Sequence, residues 1–124
     1  MDCVFCNLKK DEILFENDLS VAFFDNYPVS KGHILVIPKR HVVHYFDLSE
    51  AEMSSIFELS QKVKEYLDEK YHPDGYNVGF NVLEAGGQSV MHAHMHIIPR
   101  YKGDVENPRG GIRKVVKIKD KVVW

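Results

Sequence analysis

The sequence predicts an α+β fold: a mostly antiparallel sheet of about five strands, with one long helix and one short one. Two observations lead there. Short apolar or alternating runs, the signature of strands, lie on both sides of a single long segment of helical period. Turn residues separate the strand runs closely enough for antiparallel neighbours. With 124 residues, one domain over residues 1–124 is expected, since domains typically run about 100–150 residues.

Taken in order, residues 12–16 and 19–25 read as two strands around the Asn17-Asp18 turn, a hairpin by its turn chemistry. Pro28 and Gly32 mark residues 26–32 as a loop. Residues 33–38 are a nearly continuous apolar run, as in a strand buried on both faces and ended by its proline. Ser49 and Glu52 form an S-x-x-E capping box. Behind it Met53, Ile56, Phe57, Val63, Leu67 and Tyr71 fall at helical spacing, with Ser60 filling one step, and Pro73 and Gly75 stop the helix. Tyr76, Val78, Phe80 and Val82 alternate with smaller or polar residues, so a strand follows. A glycine-containing loop over residues 83–90 leads into residues 91–99. The tail turns at Asn107-Pro108-Arg109-Gly110-Gly111, and strands over residues 112–118 and 122–124 are expected beyond it. His44 and His72 are read as solvated surface residues.

Composition narrows the function. An apolar content of 44% with 27% charged residues is ordinary for a globular protein. A net charge of −2 gives no field for nucleic acid, and no apolar run is long enough to cross a bilayer. Neither nucleic acid nor membrane is therefore expected as a partner. The N-terminus lacks a basic region followed by an apolar stretch, so the cytoplasm is the expected location. Cys3 and Cys6 are the only cysteines. In a reducing compartment such a C-x-x-C pair suggests metal or redox work, and one pair alone does not choose.

The informative segment is His92-Ala93-His94-Met95-His96-Ile97-Ile98. On a strand its histidines share one face, roughly 6–7 Å apart between successive Cα atoms, while Ala93, Met95 and Ile97 turn to the core. Histidine fills a core poorly, so three on one face imply a site unless each is separately satisfied or solvated. A metal on the row is a second reading, since imidazole is a common ligand. Ahead of it, Gly86-Gly87-Gln88-Ser89 offers unobstructed backbone N–H groups, an amide and a hydroxyl, all suited to phosphate oxygens.

The run from Gly87 to Ile98 resembles the signature of the histidine triad (HIT) family, H-φ-H-φ-H-φ-φ with φ apolar. The resemblance extends to Phe23-Phe24-Asp25, Gly32 to Pro38, Lys39-Arg40-His41 and Asn81, and so covers most of the chain to about Asp104. The tail is similar to that of bacterial and archaeal diadenosine polyphosphate hydrolase-like members. The resemblance implies a HIT-like fold, a homodimer, and a small-molecule nucleotide, an adenosine nucleotide above all, as substrate. It implies that His94 attacks the α-phosphorus to give a nucleotidyl-histidine that water then hydrolyses. His92 would orient His94 through its carbonyl, His96 would donate to the phosphoryl oxygens or leaving group, and Gln88 and Ser89 would hold the developing charge. Asp25 would accept from the ribose hydroxyls, with His33, Asn81, Phe23, Asn26 and Gly87 around the nucleotide; Asn26 departs from the apolar residue usual there. Some members also pair a C-x-x-C with two histidines, here Cys3, Cys6, His41 and His92, a satisfactory tetrahedral set for structural zinc with no open position. Catalysis itself would need no cofactor. A nucleoside phosphoramidase is the nearest alternative activity, and a non-catalytic nucleotide- or zinc-binding module is the alternative of another class.

Overall fold

The long helix starts where the sequence caps it. In the computed structural model, which describes residues 2–117, α1 spans Glu50–Tyr71. The Ser49 hydroxyl accepts from the Glu52 amide, and the Glu52 carboxylate accepts from the Ser49 amide, satisfying two donors that a helix start leaves open. Glu52 is itself buried and held by the Arg40 guanidinium, which keeps its carboxyl below the usual carboxylate range. The helix ends on His72, exposed and left-handed at φ 51°. Its buried stripe is Ile56, Leu59, Val63 and Leu67. Phe57, expected on that stripe, is 60% exposed. It stands one residue past Ile56, about 100° around the helix, whereas Leu59 lies three residues on and shares its face.

Five strands follow the expected order, with shorter bounds: β1 Phe15–Glu16, β2 Ser20–Phe24, β3 Ile34–Pro38, β4 Gly75–Phe80 and β5 Met95–Arg100. They form one antiparallel sheet in the spatial order β1-β2-β3-β5-β4. Residues 12–14 leave the first strand because a 3-10 turn, Lys10–Glu12, runs up to it. Among the described residues the short helical pieces are all 3-10 turns, the others being Tyr45–Asp47, Glu84–Gly86 and Gly111–Val115. That last turn replaces the strand expected from residue 112. Gly110 and Gly111 adopt φ of 94° and 43°, which bends the chain away from extended geometry. The strand expected over residues 122–124 lies outside the described residues.

Alternation along the strands sorts the sheet into two faces. Ala22, Ile34, Val36, Met95 and Ile97 meet the α1 stripe to form the main core, each large side chain worth roughly 1.5–3 kcal/mol on burial. Val21, Phe23, Leu35 and Ile37 face the other way and are covered by Phe5, Leu8 and Ile13. At Gly32, φ is 89° and a Cβ would come within 2.9 Å of Leu67, so only glycine lets the loop before β3 pass this close to α1. No helix among the described residues is long and apolar enough to cross a membrane.

The hairpin is tied to the helix by a small polar knot. Asn17 Oδ1 accepts from the Ser20 amide and from the Ser20 and Ser55 hydroxyls, and its Nδ2 donates to the Ser55 carbonyl. Ser20 and Ser55 are both buried. Asn17→Ala leaves several of these groups short of a partner, at about 1–3 kcal/mol for a buried group. Urea denaturation is expected to show a loss of about 2–3 kcal/mol with an unchanged m-value.

Candidate active site

Pairing places the chemistry on the face of the sheet away from α1. Leu35 of β3 and Gly79 of β4 lie in register with His96 of β5, so paired residues share its face. The strand begins only at Met95. Residues 91–94 run ahead of it, anchored by the Ala93 amide on the Val42 carbonyl, and this splits the three histidines. His94 and His96 are neighbours, ring centroids 5.0 Å apart. His92 turns elsewhere and is completely buried.

Hydrogen bonds fix the protons on these rings. His94 Nδ1 lies 2.8 Å from the His92 carbonyl oxygen; a carbonyl only accepts, so Nδ1 bears the proton and Nε2 the lone pair. The Val29 amide donates to His33 Nδ1 at 3.1 Å, which puts the proton of neutral His33 on Nε2. That proton faces His96 Nδ1 at 3.0 Å and the Asp25 carboxylate at 3.4 Å. With Nδ1 accepting, His96 carries its own proton on Nε2. Nε2 is buried and has no partner among the described residues. The site thus sets the ring bearing the His94 lone pair beside one bearing an unsatisfied donor. Burial, then His94 and His33, pushes His96 down to about 4, and burial also lowers His33 against the pull of Asp25. Both rings are therefore neutral at pH 7.

His33, His96 and Asn81 line one cleft of about 640 Å³, floored by Gly79 and Asn77 of β4 and roofed by the tail. Asp25 sits behind His33, its other oxygen accepting from the Tyr27 amide. Asn26 is exposed beside it. Phe23 is only 5% exposed on the site face of β2, edge-on to Phe5, and belongs to the second core cluster. Ser89 and Gly87 are exposed on the loop after the Glu84–Gly86 turn, and Gly87 lies against Asn81. Gln88 needs correction. Its amide donates to the Val43 and Val90 carbonyls, its Oε1 accepts from the Leu83 amide, and its backbone N–H goes to the Leu83 carbonyl. With both donors committed to backbone, Gln88 holds the loop in shape rather than offering its amide to phosphate.

His92 belongs to a second cluster. Its Nε2 lies 2.9 Å from the Pro38 carbonyl, so Nδ1 bears the lone pair. Nδ1 is 3.3 Å from Cys3 Sγ and 3.5 Å from Cys6 Sγ, and His41 Nδ1 is 3.3 Å from Cys6 Sγ. The four ligand atoms lie within 4.8 Å of one another. Two sulfurs and two imidazole nitrogens, one with its far side pinned by a carbonyl, are the donor set and support that zinc takes. Phe5, between the two cysteines, stands edge-on to His92, His94 and Phe23. Its position inside the C-x-x-C pair is the sequence signal for that placement.

A family model for the HIT domain matches residues 7–103. The chain belongs to that family. Among its HIT relatives is the adenosine 5'-monophosphoramidase hnt1 of Schizosaccharomyces pombe, 41% identical over 104 residues, covering 81% of this chain and 75% of the relative. The bis(5'-adenosyl)-triphosphatase of Dictyostelium discoideum is 37% identical over 100 residues, covering 81% and 67%. A zinc-bound histidine triad protein from Mycobacterium smegmatis superimposes with a TM-score of 0.74 at 31% identity, covering 83% and 78%.

The neutral imidazoles of this HIT site give stability a definite dependence on pH. His96 has a folded pKa near 4 against an ordinary 6.5. Between those values the unfolded chain binds more protons, so stability is full above about 6.5 and falls as pH drops toward 4. Urea unfolding across that window is expected to show the fall, with a shallower slope in His96→Gln. An unchanged slope in that variant would place the effect on other groups.

Proposed function

We propose that this HIT-family nucleotide hydrolase cleaves at the α-phosphate of dinucleoside polyphosphates or similar adenosine nucleotide conjugates, through a nucleotidyl-His94 intermediate. The observation that carries the reading is the pairing of the His94 Nε2 lone pair with the orphaned His96 Nε2–H. A buried donor without a partner is costly in the free protein and is satisfied by an anionic phosphoryl oxygen held against it. The Dictyostelium relative, named for a dinucleoside triphosphate, supports the substrate class.

In the first step His94 Nε2 forms a bond to phosphorus while the bond to the leaving-group oxygen breaks, and that group departs with the electron pair. The imidazolium formed keeps its Nδ1 proton on the His92 carbonyl. His96 and Ser89 donate to the phosphoryl oxygens, the loop being held in shape by Gln88. Water then attacks phosphorus, the P–N bond breaks, the water proton is released, and neutral His94 returns with AMP. Asp25, one oxygen of which accepts from the Tyr27 amide, retains acceptor capacity for the ribose hydroxyls, and Asn26, His33, Gly87 and Asn81 complete the surroundings.

A second reading keeps the same attack with an amine as leaving group, whose nitrogen takes the electron pair of the P–N bond and a proton donated by His96 Nε2–H. It is favoured by the Schizosaccharomyces relative, named a monophosphoramidase. Turnover of diadenosine polyphosphates against adenosine phosphoramidate ranks the two.

Cys3, Cys6, His41 and His92 would hold a zinc ion, as the zinc-bound mycobacterial relative encourages. A bound zinc would cross-link the N-terminus to the segment ahead of β5, all four positions being filled by protein. A reducing cytoplasm is the compartment that keeps both thiols available to it.

His94→Ala is expected to abolish turnover while nucleotide binding stays within a modest factor. Rapid quenching with α-labelled substrate should give an acid-labile adduct on the residue 92–98 peptide, absent in that variant. Two displacements retain configuration at phosphorus, so inversion with a chiral phosphorothioate would refute the intermediate. Metal analysis of protein prepared without chelator is expected to find about one zinc per chain. Cys3→Ser should lower thermal stability and zinc content together, and metal-free protein with both thiols titratable would end the zinc proposal.

A further inference from the structure

Beyond the catalytic cleft a second cavity of about 860 Å³ opens at the far end of the sheet. Its walls are Ser30 and Lys31 from the loop before β3, Lys70 and Tyr71 from the end of α1, and Arg100 and Tyr101 at the end of β5. The two spaces share Val29, Asn77, Ile98, Arg100 and Val105, so they adjoin as two parts of a trench with those residues between them. Along β5, His96, Ile98 and Arg100 alternate onto the same face, which sets the Arg100 Cα about 13 Å from that of His96. That distance suits a bridge of several phosphates leading away from the α-phosphorus.

The chemistry of the far cavity is that of an anion site. The Ser30 hydroxyl is buried in its wall and has no hydrogen-bond partner among the described residues. Arg100 is neutralised where it stands: Nε and Nη2 donate to the Asp104 carboxylate, and Nη1 donates to Asn77. Lys31 enters none of the ion pairs found among the described residues. Lys70 donates to the Tyr66 hydroxyl and lies over the Tyr66 and Tyr71 rings, so its charge has no carboxylate against it there. Asp104 also lines this cavity and is matched by Arg100, so two ammonium groups without an ion-pair partner among the described residues, an orphaned hydroxyl and two tyrosine rings surround one end of a trench whose other end holds His96.

We infer that this trench is the subsite for an anionic leaving group. The distal phosphates and second nucleoside of a dinucleoside polyphosphate would lie along Asn77 and Ile98, with the phosphates on Ser30, Lys31 and Lys70. The inference rests on the hydrolase reading above and extends it to a preference for long, charged leaving groups over small amines.

The test compares diadenosine tetraphosphate with adenosine phosphoramidate, whose amine is too short to enter the far cavity. In Lys31→Glu/Lys70→Glu the KM for the tetraphosphate is expected to rise about tenfold at low ionic strength, with kcat little changed, and the effect should shrink with added salt. The phosphoramidate KM should stay within about twofold. Ser30→Ala should move the same KM in the same direction by a smaller factor. Equal changes on both substrates, or none on either, would overturn the subsite. A binding arm separates this from the hydrolase reading. Calorimetry on His94→Ala is expected to show tetraphosphate binding tighter than AMP, the advantage falling on adding the two lysine reversals; an undiminished advantage overturns the trench. Absence of turnover on every substrate would fell the hydrolase reading and leave that binding comparison to decide the subsite.

Discussion

The Pro38 and His92 carbonyls and the Val29 amide decide which nitrogen of each buried imidazole carries the proton. An imidazole free to choose its tautomer would present donor or lone pair at random to anything entering the cleft. Here the backbone makes that choice before a ligand arrives, because a carbonyl only accepts and an amide only donates. Those backbone groups are placed by the sheet and its flanking loops. The end of β3 supplies Pro38, the loop before β3 supplies Val29, and the extended approach to β5 supplies His92. The packing that buries Ile34, Val36, Met95 and Ile97 against α1 thereby also sets the orientation of the imidazoles on the opposite face.

That division of labour explains which parts of the molecule were legible in the sequence. The capping box at Ser49 and Glu52 and the apolar run of β3 are local patterns with local causes, and both stand where residue type places them. The helix face was legible in its period, but choosing Phe57 over Leu59 shows the weakness of counting apolar residues without tracking the angle between them. The histidine row was visible as a row. That it divides, with His92 turning to the cysteines, depends on where β5 begins, and the Ala93 bond to Val42 sets that start across about fifty residues of chain.

What meets Gln88 and Phe23 is decided by the fold rather than by residue type. A side chain amide next to a glycine loop is equally suited to phosphate and to backbone, and only the fold shows that the Val43, Val90 and Leu83 groups reach Gln88 first. Phe23 alternates onto the site face, as the strand pattern requires, and is then covered by Phe5 from a segment remote in sequence. Such coverings are long-range contacts that no local pattern encodes.

The single residue between His92 and His94 has a consequence for how such a protein would be classified. His92 contributes a ring to the sulfur cluster and a carbonyl to the His94 ring, so a displacement of that residue is felt at both places. If zinc fills the cluster, a chelator that strips it would release the carbonyl that fixes the His94 tautomer. Hydrolysis would then fail on chelation and recover on remetallation, which is the ordinary diagnostic of a metalloenzyme, although no metal touches the substrate. For this arrangement chelator sensitivity would report the posture of an imidazole, and would be silent about whether a metal takes part in the reaction.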